Sequence, residues 1–393
     1  MKILITTIFD YPHEGGLSTH VKTLKLGLEE KGHSVDVLSF SNINPIVKKL
    51  VAQGPGFVLN KLQKGKGQLL NDTMRGTLLN TYIKKQKQDY DVINAQDVFS
   101  ANASIKTGIP TVSTVHGYYA NEAISRGAIV ENSAEDLKIK EIEKEAYQNS
   151  DELIAVDRRI NEYVKKLAGV DTHVIKNFIN LDSFRNISES PLVIRNEFNI
   201  PENKKILLVP RRLTEKNGVI YPTLAMKYVL EKFPNTLLLY AGTGEQSQNI
   251  QNEITKNGLM DSVRLLGSVE HEKMKNLYSI ADIVLVPSVH SYGVEEATSI
   301  SALEAMGSGS PVVAGAVGGL KEIFEHEKDG LLINADNVTE FANSIIRLLN
   351  DKELCNKLSE NAQKKVEEEY SHLAAAAKYE SIYQKAIERK KIK

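Results

Sequence analysis

Short apolar runs alternate with longer helical stretches along this chain, and the alternation starts afresh after residue 200. Residues 2–8, 34–40, 91–95, 111–116, 152–156 and 172–175 read as strands, with helix-like stretches such as 19–31 and 135–148 between them. Strands apolar on both faces that are joined through helices make a parallel sheet covered on both sides. Residues 205–209, 236–241, 263–266, 283–286 and 311–314 form a second such set. The expected fold is therefore α/β, with two Rossmann-like doubly wound domains in series. A chain of 393 residues suits two cores better than one. The polar stretch from Ser183 to Asn203, with Pro191 and Pro201, marks the seam. Domains are expected over residues 1–180 and 181–370, with 371–393 a terminal helix packing back on the first. Ligands in such folds sit at the carboxyl ends of the strands, so the turns there are where function is sought.

Composition narrows the function class. A formal net charge of −1 gives no field to attract nucleic acid. A single cysteine, Cys355, forbids an internal disulfide and any cysteine-built metal cage, and fits a cytoplasmic protein. The apolar start of the chain stops by Asp10, so it reads as a first strand and not as a leader. No apolar run reaches the length of a membrane span.

Several turns carry chemistry. Gly15 and Gly16 follow the first strand and precede a helix, where a backbone can approach a phosphate or a sugar closely. Arg212 and Lys216 follow the first strand of the second set; two cations there suit a diphosphate. Gly244 follows the next strand, and Gly318 and Gly319 follow residues 311–314. Each of these turns also reads as an ordinary tight turn or a solvated basic loop. His116 ends a strand, as a hydrogen-bonding or proton-carrying group or as a structural loop histidine. Glu296 and Glu304 stand eight residues apart, with Thr298, Ser299 or Ser301 to cap a short helix and residues 307–311 to end it. Eight helical residues rise roughly 12 Å, about the distance from a sugar through two phosphates to a ribose. The plain alternative is an amphipathic helix with two solvated acids. Asp89-Tyr-Asp91 has the form of a metal-binding pair but precedes a buried strand, and is not expected to hold a metal.

Taken together, these residues resemble a retaining glycosyltransferase of family 4, with the two-domain GT-B architecture. The resemblance runs over nearly the whole chain. It rests on the opening strand with Gly15-Gly16, on Val115-His116-Gly117 and on Asn177 to Phe184. It continues through Arg212-Leu213 with Lys216 and Gly218, and the segment from Gly267 through Val269 to Ser288. Its most specific part is Glu296 with Glu304, followed by Ala305-Met306 and Pro311-Val-Val. Departures are Arg211 where the family often has glycine, and Asn217 in the usual lysine slot with Lys216 one residue earlier. Phe178 and Asn180 also differ in the linker element.

The resemblance implies transfer of a sugar from a nucleotide-sugar donor, UDP- or GDP-linked, without metal or cofactor. It implies Arg212 and Lys216 at the diphosphate, Glu296 at the sugar and Glu304 at the ribose. His116 would bond the donor sugar; Gly15, Gly16, Gly244, Val269, Thr298, Ser299, Gly318 and Gly319 would line the donor. It further implies an acceptor on the first domain, a sugar or a lipid-linked hydroxyl. Residues 44–88 carry nine Lys or Arg against one acid, Asp72, with apolar residues interleaved. That run reads as a basic amphipathic face for an anionic membrane, or as a solvated surface packed inward on its apolar side. Rival readings are a GT-B epimerase, a phosphorylase, a non-catalytic nucleotide-sugar binder, and a nicotinamide dehydrogenase. The last lacks its glycine fingerprint here.

Overall fold

Each set of apolar runs forms its own six-stranded parallel sheet. The structure, a computed structural model, describes residues 1–13, 15–49, 66–85, 89–125, 127–290 and 298–392. The chain divides into one unit of residues 1–177 and 372–393 and a second of residues 178–371.

In the first unit β1 (Lys2–Thr6), β2 (Ser34–Leu38), β3 (Val92–Ala95), β4 (Thr111–Val115), β5 (Glu152–Ala155) and β6 (His173–Val174) lie in the order β2-β1-β3-β4-β5-β6. In the second, β7 (Lys205–Val209), β8 (Thr236–Ala241), β9 (Val263–Gly267), β10 (Ile283–Val286), β11 (Val312–Gly315) and β12 (Leu331–Ile333) lie in the order β12-β11-β10-β7-β8-β9. The registers are parallel throughout, as in Lys2 opposite Ser34 and Lys205 opposite Thr236. Eleven of the strands fall on the expected runs, trimmed or extended at their ends. The strand β12 was not expected: three residues are too few to display a period.

Central strands are buried on both faces. Ile206 and Leu208 join the core on one side of the second sheet, while Leu207 and Val209 join the core on the other. This alternation follows from the two-residue repeat of a strand. Edge strand β2 instead has exposed Ser34 and Asp36 on either side of buried Val35. Helices start and stop where local chemistry tells them to. Asp157 caps Arg158–Ala168 by accepting from Ile160 N, and Gly169 ends it in the left-handed conformation.

The helix His372–Ile392 belongs to the first unit, where it packs on the helix Gly16–Glu30. Its Tyr379 and Tyr383 are fully buried. Tyr383 Oη accepts from Asn94 Nδ2 at 2.6 Å, and Tyr379 Oη lies 3.4 Å from Thr114 Oγ1. Lys31 pairs with Glu380 at 3.2 Å.

In both sheets the strand order reverses beside the first strand, between β1 and β3 and between β7 and β10. Adjacent loops part at such a point and leave room for a ligand at the carboxyl ends.

Candidate functional site

In the second unit the loops after β7 and β10 flank the reversal and are laced together. Arg211 is buried and donates from Nη1 to Ser288 Oγ. Val289 N donates to Lys216 O at 3.1 Å. Gly218 sits in the left-handed region at φ 62°, and a Cβ there would collide with the Pro287 carbonyl. Arg212 is exposed and Lys216 half-buried. Asn217 is buried, and its Nδ2 donates to Arg212 O at 2.8 Å. That amide is spent on bracing the loop. Gly244 has a packing reason of its own: a Cβ there would strike the Leu213 carbonyl.

The helix Ile300–Ser308 begins after Ser299, which makes no side-chain cap, and ends at Gly309 in the left-handed conformation. Its first turn therefore presents backbone N–H groups beside Thr298 and Ser299, both buried. The helix thus starts after one of the expected caps and ends within residues 307–311, as expected. Only Glu304 lies on it; Glu296 precedes its start by four residues and lies outside the described residues. Ser299, which stands between them in the sequence, is extended, so the eight residues do not form one continuous helix.

Glu304 is 9% exposed and accepts from Tyr278 Oη at 2.9 Å. Burial pushes its carboxyl up to about 7, with the Tyr278 hydrogen bond pulling the other way. His271 Nδ1 stands 4.0 Å off its other oxygen. A carboxyl so placed has unused acceptor capacity in a dry setting, which favours a ligand rich in hydroxyl donors. Val269 packs half-buried on the core just past β9. Gly318, at φ 47°, and Gly319 lie between β11 and the short helix Leu320–Ile323.

In the first unit Gly15, at φ 147°, precedes the helix Gly16–Glu30, whose start carries no side-chain cap. His116 follows β4 directly. Its Nε2 lies 2.8 Å from Gln96 Oε1, and His20 stands edge-on to its ring at 4.6 Å between centroids. Burial pushes the His116 imidazole down to about 4, so it is neutral at pH 7. His20 is held well below the usual imidazole range, first by burial and then by His116. Its Nε2 lies 3.2 Å from Tyr379 Oη.

The structure therefore groups Arg212, Lys216 and the Gly218 turn around the β7–β10 reversal of one unit. Gly15, Gly16 and His116 belong to the other unit. The sequence reading missed Tyr278, which holds Glu304, and Gln96, which holds His116. Gln96 stands one residue beyond its strand, as His116 does, and that position alone would have flagged it. Asp91, from the metal-like pair, accepts from Lys2 N at 2.7 Å and so braces the start of β1. Of the basic run, residues 50–65 and 86–88 lie outside the described residues. Within the described part, Lys48 and Arg75 lie over the Phe40 ring at 4.9 and 4.3 Å and serve packing. No helix among the described residues is long and apolar enough to cross a membrane.

Comparison with known proteins adds findings of three kinds. A family model described as Glycosyl transferases group 1 matches residues 192–365, and one described as Glycosyltransferase Family 4 matches residues 14–183. An uncharacterized glycosyltransferase of Methanocaldococcus jannaschii is 30% identical over 99% of this chain and 99% of its own length. A UDP-Gal:alpha-D-GlcNAc-diphosphoundecaprenol alpha-1,3-galactosyltransferase of Escherichia coli is 24% identical over 78% of each chain. Among solved structures, Anabaena HepE in complex with UDP-glucose superposes at a TM-score of 0.65 with 20% identity. The match covers 97% of this chain and 98% of that one, a likeness that speaks for the fold.

Proposed function

The chain belongs to the glycosyl transferases of group 1 and family 4, enzymes of GT-B architecture, and from that premise we propose that it moves a sugar from a nucleotide-sugar donor to a hydroxyl acceptor with retention at the anomeric carbon. The observation that carries the reading furthest is Glu304: a buried carboxyl at the ordinary edge of ionisation, held by one tyrosine and suited to paired ribose hydroxyls.

Breaking the donor bond builds negative charge on the diphosphate and positive charge on the sugar. Arg212 and Lys216 answer the first, together with the N–H groups at the start of Ile300–Ser308. Glu296 answers the second by holding sugar hydroxyls and facing the developing cation. His116, neutral, takes a hydrogen bond from the donor sugar. The acceptor hydroxyl attacks on the face the diphosphate leaves, and the departing phosphate oxygen takes its proton. No metal and no cofactor has a part in this scheme, and the donor is UDP- or GDP-linked. The test is a thermal-shift screen against sugar nucleotides. One donor at a hundred times its Kd raises stability by about 2.7 kcal/mol, and slow donor hydrolysis accompanies it. A screen without a single responding sugar nucleotide counts against the reading.

We further propose a sugar or lipid-linked acceptor for cell-surface polysaccharide or glycolipid synthesis. It would be reached by peripheral contact of residues 44–88 with the anionic inner face of the cell membrane. The excess of nine cations over one acid supports this. Binding to phosphatidylserine vesicles at low salt, lost at high salt, is the expected result; no binding at low salt removes the membrane from the account.

A further inference from the structure

We propose that Gln96 is a positioning residue for His116: its amide oxygen fixes the imidazole as the Nε2–H tautomer and so leaves Nδ1 as the ring's hydrogen-bond acceptor. The inference rests on the reading above, in which His116 meets the donor sugar. Gln96 is 2% exposed and lies immediately past β3, at the strand-order reversal of the first sheet. Its backbone N donates to Thr6 O at 2.9 Å, which pins the residue to β1. Its Oε1 lies 2.8 Å from His116 Nε2, and an amide oxygen can only accept. The ring nitrogen opposite must then carry the proton, and the remaining nitrogen must accept.

A second observation points to a ligand at the same place. Gln96 Nε2 has no hydrogen-bond partner among the described residues, although it is buried. A buried amide N–H left unpaired is uncommon and calls for an explanation. Gln96 and His116 both line a cavity of about 160 Å³ with Thr114, Tyr119 and the apolar Leu17 and Val98. A hydroxyl entering it can accept from Gln96 Nε2 while it donates to His116 Nδ1, since a hydroxyl does both. One glutamine thus sets the polarity of the histidine and offers the complementary donor.

Asp97 and Glu122 are the carboxylates that line the same cavity. His20, from the helix Gly16–Glu30, meets the ring edge-on and is itself neutral, tied to Tyr379. Asp97, which starts the helix Val98–Ile105, accepts from Thr7 Oγ1, Ile8 N and Ser100 N. Glu122 and Tyr119 on Tyr119–Ser125, and Tyr147 on Ala134–Asn149, also line the cavity. Burial alone pushes the His116 imidazole down.

Nitrogen-15 NMR of the imidazole side chains in the whole chain reads the tautomer directly. The expected spectrum has a protonated Nε2 and an unprotonated Nδ1 for His116; a protonated Nδ1 overturns the proposal. Gln96→Glu, of nearly the same shape, places a carboxylate against Nε2–H and stabilises imidazolium. The His116 titration then moves up by at least tenfold in proton affinity. Activity with the donor found by thermal shift falls as pH falls through that new pKa, because imidazolium has no acceptor left. An unmoved titration in Gln96→Glu overturns the proposal as well. In Gln96→Ala the tautomers mix, and KM for the donor rises several-fold more than kcat falls. His116→Ala separates the two claims. If it keeps full transfer, His116 does not meet the sugar, while the tautomer result stands by itself.

Discussion

Arg212→Ala is expected to lower kcat/KM for the true donor by about a hundred- to a thousand-fold, the usual loss on removing one preorganised donor from a developing oxyanion. The argument begins with position. Arg212 stands two residues beyond Pro210 at the carboxyl end of β7, where the strand order of the second sheet reverses. Its neighbours hold the backbone there. Arg211 is buried on Ser288, Asn217 grips the Arg212 carbonyl, and Gly218 lets the loop lie against Pro287. A fixed backbone under an exposed guanidinium is what a leaving diphosphate needs, because little reorganisation remains at the moment of bond breaking. Arg212→Lys should recover only part of the rate, since a point charge lacks the fork geometry. The melting temperature should not move, because the side chain is exposed and contributes little to the core. Steady-state kinetics and a melting curve of the same variant decide the matter. Full activity in Arg212→Ala would remove this turn from the chemistry.

Glu304→Gln should stabilise the ligand-free protein at pH 8 and weaken donor binding. The sign follows from the pKa. Burial raises the folded carboxyl to about 7, above its ordinary value near 4.5. Between those values the folded state holds a proton that the unfolded chain has lost, so stability falls as pH rises from 4.5 to 7 and is flat above it. The difference at pH 8 is about 3 kcal/mol, at 1.36 kcal/mol per unit. Glutamine keeps the acceptor for Tyr278 and cannot ionise. The variant and the parent should therefore match near pH 4 and part by up to that amount at pH 8 in urea titrations. Donor binding should weaken by ten-fold or more, since hydroxyls bond an anion more strongly than an amide. No gain at pH 8 would mean that the carboxyl is already satisfied without a ligand.

Much of this was legible before any coordinates. Runs such as Ile283–Val286 are apolar throughout, and a run buried on both faces announces a parallel strand. Their repetition after residue 200 announced the second sheet. What the sequence could not display was the side-chain pairing across strands. Tyr278 and Glu304 are 26 residues apart, and Gln96 and His116 are 20 apart. Nothing in either local pattern says that they meet. The helix of Glu304 was legible at both ends, between Ser299 and Gly309. Ser299 takes the cap position before Ile300, though its side chain makes no capping hydrogen bond. Asn217 shows the same limit. Its type allowed a ligand contact, and only geometry revealed that its amide is committed to a carbonyl five residues back.

The return of residues 372–392 to the first unit has a consequence for how the chain is born. Domains generally mature on the ribosome from the amino end onward. Here residues 178–371 are one continuous stretch, whereas the first unit is completed only by its last helix. Tyr379 and Tyr383 cover Thr114 and Asn94, which sit in the middle of the first sheet. Until that helix emerges, residues 1–177 wait with part of their core uncovered while the later unit can already close. The first unit can therefore be completed only after the second has been synthesised. A nick near residue 371 would leave the second unit whole and strip the first of its closing helix.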